Sequence, residues 1–288
     1  MIPAPDTTPP RVRLIRLVGG ICLVVLIFLL LSTLHVSVAG RVWPDDAGQG
    51  GDMANARTPL GAVLGLMIFG WLTVAVWITQ RVMHGQGMAD LIGPLHVALA
   101  QFLRVAGAML LLGLVLSALP APAGFEPLKN IAPATWLAWL PLALLGLLVQ
   151  TSAEEIVFRG YLLRHLAALS QHRVIWMGLP SAAFALLHYA PADMGDTTWI
   201  VIVWAGCFGL ATADLTVRSG TLGPAIALHM VNNFGAILLV APQGFFDGLA
   251  LYSYTLTDDM QRAMWHWLPV DLMVLLCSWL VARLALRR

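Results

Sequence analysis

The chain has 288 residues, 59% hydrophobic and only 11% charged, with a mean hydropathy of +0.81. Soluble domains carry about a quarter charged residues, so this chain has roughly half of what a water-facing surface needs, which excludes an ordinary cytosolic enzyme. Sixteen Lys+Arg against fifteen Asp+Glu leave a formal charge of +1 without a basic stripe, which argues against a nucleic-acid partner.

Residues 1–13 contain several prolines and no periodicity, and are expected to form a disordered cytoplasmic tail. Apolar runs of about 18 to 24 residues then recur, the length that crosses roughly 30 Å of hydrocarbon as a helix. Eight spans are predicted, at 14–38, 60–80, 96–119, 134–156, 176–191, 198–217, 222–241 and 267–286. Links rich in Gly, Pro and Asp separate them, such as Pro44 to Gly51, Pro120 to Pro127 and Pro191 to Asp196. Without an internal repeat, residues 14–288 read as a single all-α membrane helix bundle. The motif RVRLIR before the first run is shaped like a signal peptide, but the run is too long and no A-x-A site follows, so a retained helix is expected. Cys22, Cys207 and Cys277 lie far apart inside apolar runs, without the spacing of a disulfide framework or a thiolate metal site.

Arginine and lysine accumulate in short cytoplasmic loops. With the N-terminus inside, Arg11, Arg13, Arg16, Arg81, Arg164, Arg173, Arg218, Arg283, Arg287 and Arg288 fall on the cytoplasmic side, against Arg41, Arg57, Lys129 and Arg262 outside. The outer links carry the acids, among them Asp45, Asp46, Asp52, Glu126, Asp193, Asp247 and Asp258. Both ends are therefore expected in the cytoplasm. Low Lys with high Ala, Leu, Arg and Trp suggests the inner (plasma) membrane of a bacterium. Trp43, Trp136, Trp199, Trp265 and Trp267 at span ends form an interfacial belt.

A charge at the bilayer centre costs about 3 kcal/mol on insertion scales, so ionisable groups within spans mark function. The fourth span ends in QTSAEEIVFRGYLLRHL, from Gln150 to Leu166. Glu155 and Arg159 are four apart, acid first, the favourable orientation for an ion pair on one helical face. Glu154 has Phe158 at that spacing, so it is left free for chemistry. The fifth span places Phe184 and His188 on one face, and the seventh does the same for His229 and Asn233, with Asn232 pointing elsewhere. A carboxylate, two imidazoles and an amide in hydrocarbon are satisfied only by one another or by a water-filled cavity, which is what hydrolysis requires. Arg104 in the third span and Asp214, with Arg218 as its i,i+4 partner, are read as structural.

These residues resemble the CPBP family, the type II CAAX prenyl endopeptidase and bacteriocin-processing group of intramembrane proteases. Its motifs EExxxR, FxxxH and HxxxN stand in order as Glu154-Glu155 with Arg159, Phe184 with His188, and His229 with Asn233. The extended EExxFRGxL pattern is met through Phe158, Gly160 and Leu162, and the resemblance covers a core of residues 134–240. It implies an endopeptidase acting on a membrane-associated protein or peptide, in which Glu154 activates water and His188 orients that water or the scissile carbonyl. His229 and Asn233 would polarise the carbonyl and stabilise the oxyanion, while Arg159 holds Glu155.

Two histidines and a glutamate also suit Zn²⁺ with one open position, which makes Glu154, His188 and His229 candidate metal ligands; a metal-free, glutamate-dependent site is the other reading. The chain lacks HExxH and a GxSG motif, which disfavours zinc site-2 and rhomboid-like chemistry. Two classes compete with a protease. One is a non-catalytic scaffold or immunity partner using the motifs as interhelical glue, and the other is a proton-coupled transporter, against which stands the lack of any repeat. Simple spans place Glu154 about 28 Å along its helix, near the cytoplasmic interface, and His188 and His229 about 18 and 10 Å from that side. An inner extension of the fourth helix through Leu166 would bring the depths together.

Overall fold

The computed structural model describes residues 9–44, 55–119 and 125–287. Among these, every predicted span is a helix. Helix α1 is Pro10–Val42, α2 Pro59–His84, α3 the short Met88–Ile92 and α4 Leu95–Ser117. Helix α5 runs continuously over Pro133–Leu169, α6 over Val174–Leu186, α7 over Thr198–Ser219, α8 over Gly223–Leu239 and α9 over Asp258–Leu286. Three short strands, β1 (Leu128–Lys129), β2 (Val240–Pro242) and β3 (Tyr252–Tyr254), pair in the order β1-β3-β2 beside the ends of α5 and α8.

The boundaries follow local chemistry. Proline at the first helical position begins α1, α2 and α5, where its missing N–H costs nothing. This is why residues 10–13, expected in the tail, are already helical; residues 1–8 lie outside the described residues. So do Asp45, Asp46, Asp52, Arg288 and most of the links from Pro44 to Gly51 and from Pro120 to Pro127. Thr58 and Thr257 cap α2 and α9 with side-chain oxygens that accept from the N–H of Gly61 and Met260. At the C-terminus of α3, Gly93 adopts φ +87° with its Cα against the Gly220 carbonyl, a conformation and an approach that a side chain would forbid.

Six helical segments are long and apolar enough to cross a membrane: α1, α2, α4, α5, the segment Pro191–Ser219 that includes α7, and α9. The eight spans expected are corrected in length at two places. Helices α6 and α8 cover only about 20 and 25 Å at 1.5 Å per residue, short of the hydrocarbon thickness. Helix α6 packs on α5 and α7 and leaves Val174, Leu179 and Leu186 exposed, whereas α8 is enclosed. Every residue from Gly223 to His229 is buried, and α8 packs on α4, α5 and α7. A helix wrapped by other helices can begin and end within the membrane, because its terminal backbone groups are met by protein. Leu222 N–H, for example, donates to the carbonyl of Ile92 in α3 at 3.0 Å.

Large apolar side chains cover the outer faces instead. Leu26, Leu30 and Leu34 on α1, Leu103, Leu110 and Leu114 on α4, and Leu276, Leu280 and Leu284 on α9 are all exposed. Such continuous apolar faces are stable only against lipid, and the protein is a multi-pass, all-α membrane bundle. Inside, one cluster gathers Phe158, Phe184, Phe208, Leu215 and Leu228 around the site, and a second joins α1, α2 and α5 through Leu17, Val76, Ile156 and Tyr161.

The crossing of α8 over α4 requires Gly223, where a Cβ would run into the carbonyl of Ala98. Gly223→Ala should force the helices apart and cost about 1–3 kcal/mol. Thermal unfolding in detergent checks this, and an unchanged midpoint would contradict the close crossing.

Candidate active site

Helix α5 supplies one wall of the site. Gln150 and Glu154 are four residues apart and share a face. Directly after Glu155 the helix widens into a π-helical turn from Ile156 to Leu162 before closing again as far as Leu169. Single π-turns inside α-helices recur at functional sites because the extra residue re-aims side chains on either side of it. The helix also runs about 21 Å beyond Glu155, the inner extension the sequence calls for. Glu154 is therefore in mid-helix rather than at its wet end, level with residues of the enclosed α8.

The expected ion pair is present. Arg159 Nη1 donates to Glu155 Oε1 at 3.0 Å, with the two side chains 1% and 0% exposed. The guanidinium lies over the ring of Phe184, 4.6 Å from its centroid, with Phe158 at 5.8 Å. Glu155 also binds His229, whose Nδ1 is 2.8 Å from the same Oε1. A carboxylate paired with Arg accepts only, so Nδ1 carries the proton and Nε2 is turned to the other side. There it faces Glu154 Oε2 at 3.5 Å. The rings of Phe208 and Phe184 enclose the imidazole edge-on at 5.0 and 5.8 Å.

Glu154 Oε2 is buried and has no hydrogen-bond partner, although the side chain as a whole is 14% exposed. Glu155 Oε2 and Arg159 Nε and Nη2 beside it are likewise buried without a partner, so the polar groups of the site are concentrated around these two helical turns. Asn233 reaches across from α8, its Nδ2 donating to Gln150 Oε1 at 3.0 Å and its Oδ1 accepting from Asn232 Nδ2 at 3.1 Å. His188 lies just past the end of α6 and its Nδ1 donates to the Phe184 carbonyl at 2.9 Å, which leaves Nε2 as its free nitrogen. Glu154, His188, Asn233 and Gln150 line one cavity of about 630 Å³, walled further by Phe245, Phe246 and Tyr254. His188, His229, Asn232 and Asn233 line a second of about 340 Å³. The two meet at Phe184, His188, Val201, Asn233 and Ala236. Burial, aided by the charge of Asp271, raises the Tyr254 phenol above its ordinary value, so it remains a neutral hydrogen-bond donor.

The metal reading fares differently. Among the described residues no group of three His, Cys, Asp or Glu is placed to hold an ion. His229 and His188 each commit Nδ1 to a hydrogen bond and keep Nε2, the nitrogen a ligand would use, but Glu154, His188 and His229 are not gathered as a three-ligand group in this arrangement.

Of the remaining expectations, Asp214 does pair with Arg218 at 2.7 Å and also accepts from Trp279 Nε1. Arg104 is exposed on α4 and forms no ion pair with Glu155. Asn232 does not point away from the site altogether, since its amide is bonded to Asn233. Sequence reasoning gave Gln150 no role, although its i,i+4 spacing to Glu154 is the signal that finds it. Phe208 and Tyr254 join from distant elements, and no local spacing announces them.

Residues 134–235 match the family model described as type II CAAX prenyl endopeptidase Rce1-like. This segment contains Glu154, His188, His229 and Asn233, so the family model matches where the three motifs lie. The chain is also 29% identical over 140 residues to the uncharacterized protein YyaK of Bacillus subtilis (strain 168), a match covering 46% of this chain and 45% of that protein. The chain therefore spans less than half the length of this relative. No solved structure matches.

Removing one partner of a buried ion pair leaves the other charge uncompensated, at about 3–5 kcal/mol. Arg159→Ala should lower stability by that amount in detergent, and adding Glu155→Gln should restore part of it. A loss below about 1 kcal/mol would show that Glu155 does not depend on Arg159.

Proposed function

We propose that the protein is an intramembrane endopeptidase that hydrolyses a peptide bond of a membrane-associated protein or peptide, CAAX-type or bacteriocin-type, by glutamate-activated water. The observation that carries this reading is Glu154 Oε2: buried, unpartnered, and lining a cavity with His188 and Asn233 while His229 Nε2 faces it at 3.5 Å.

In this mechanism a water lies between Glu154 and the free Nε2 of His188. Glu154 takes its proton as the hydroxide adds to the scissile carbonyl, and later gives that proton to the departing amine. His229 Nε2 shares the proton in between, and any positive charge on its ring is met by Glu155 through Nδ1. The second N–H of Asn233, left over from its bond to Gln150, donates to the oxyanion. One preset donor of this kind is worth about 3–4 kcal/mol of barrier in a dry cavity. Arg159 and the stacked Phe184 position Glu155, and through it His229.

The arginine distribution supports both termini in the cytoplasm, and the composition supports a bacterial plasma membrane as the location. The substrate reaches the site from the bilayer, its only partner in this reading besides lipid.

Glu154→Gln should give a folded, membrane-inserted protein whose hydrolysis falls by about 10²–10⁴-fold, the span of a general base. The measurement compares the membrane proteome and secreted peptides of cells carrying either protein. Equal processing, with only lower thermal stability in the variant, would favour the scaffold reading instead. Because the donors do not converge on an ion, activity in detergent should survive a divalent-metal chelator; loss on chelation and recovery with Zn²⁺ would overturn the metal-independent mechanism.

A further inference from the structure

Asp271 is the fourteenth of the 29 residues of α9, exposed and about 6 Å inside the outer end of the span that begins near residue 267. A carboxylate there is stable beside a charge partner or a wet cavity. Among the described residues it has neither an ion pair nor a hydrogen bond. The basic residues of its own helix are engaged elsewhere: Arg262 pairs with Asp259 at 2.6 Å, His266 bonds the Arg262 carbonyl, and Arg283 lies over Trp279. Across the bundle, Arg159 is held by Glu155, and the site carries two carboxylates against that single guanidinium.

What Asp271 does face is the reaction site. It lines the 340 Å³ cavity with His188, His229 and Asn233, and an adjoining one of about 330 Å³ with Asn232. Trp204 lines both as well, stacked on Phe208 with centroids 5.2 Å apart. A cavity lined by a carboxylate and an indole suits a cation. The 630 Å³ cavity on the other side of His188 and Asn233 is walled by Phe158, Phe245 and Phe246 instead.

We propose that Asp271 is a specificity-determining residue that recognises a lysine or arginine side chain of the substrate, in an extended segment that places an apolar side chain in the larger cavity and the basic one in the smaller. The scissile bond then lies where the two cavities meet. The proposal rests on the endopeptidase reading for the word substrate, but the recognition itself is a binding property and is tested without turnover.

The test uses the full chain carrying Glu154→Gln, in neutral maltoside micelles. The probes are fluorescein-labelled peptides of norleucine and phenylalanine in which a single lysine is moved through each position, with an all-norleucine control. At one register the lysine peptide should bind roughly tenfold tighter than the control, the worth of one desolvated charge pair. The ratio should fall to about one when Asp271→Asn is added and return with Asp271→Glu, which also shows that the helix tolerates substitution. A ratio near one in the Asp271 protein, no binding of any probe, or a preference that persists in Asp271→Asn overturns the proposal. If the preference holds and the protein with Glu154 intact cleaves none of the peptides, the endopeptidase reading fails and the recognition site stands.

Discussion

Glu155 is buried completely between Arg159 on its own helix and His229 on α8, and the arrangement of the site depends on that three-way contact. A carboxylate cannot remain ionised in such surroundings without charge and hydrogen-bond partners, so the guanidinium must stay beneath it and the imidazole beside it. The bond to Nδ1 fixes the tautomer and the plane of His229. Nε2 is thereby directed at Glu154 Oε2, 3.5 Å away. Two adjacent glutamates on one helix thus differ because their neighbours differ, one paired with Arg159 and His229 and fully buried, the other partly exposed on a cavity.

The enclosure of α8 serves the same end. Neither α6 nor α8 is long enough to cross the membrane alone, and α8 presents polar residues that lipid would reject. Wrapped by α4, α5, α7 and α9, α8 can stop within the bundle, while α6 packs on α5 and α7, so that His188, His229 and Asn233 line a cavity rather than an interface. The π-helical turn of α5 and the long inner extension beyond it bring Glu154 to the same level. The exposed leucines of α1, α4 and α9 provide the lipid-facing surface that this interior arrangement requires.

Much of this was legible in the residues. Hydropathy located the eight longer helices but not the short α3, since twenty or so apolar residues have few other solutions in a bilayer and five residues give no such signal. The i,i+4 rule found the Glu155–Arg159 pair, the Asp214–Arg218 pair and the shared face of His229 and Asn233, because one helical turn brings those positions together whatever surrounds them. Spacing failed where contacts cross between helices. Nothing local links Glu155 to His229, 74 residues away.

What the sequence by itself determined is the solvent of this protein and the composition of its site. Apolar runs, the arginine bias and three polar motifs are statements about single helices, and single helices obey periodicity. Tertiary structure alone decided the depth of each group, the lengths of α6 and α8, the join between Asn233 and Gln150, and the placing of Asp271 and Tyr254 against the cavities. Those depend on which helix covers which, and close packing between distant segments is a property of the whole bundle that no local period encodes.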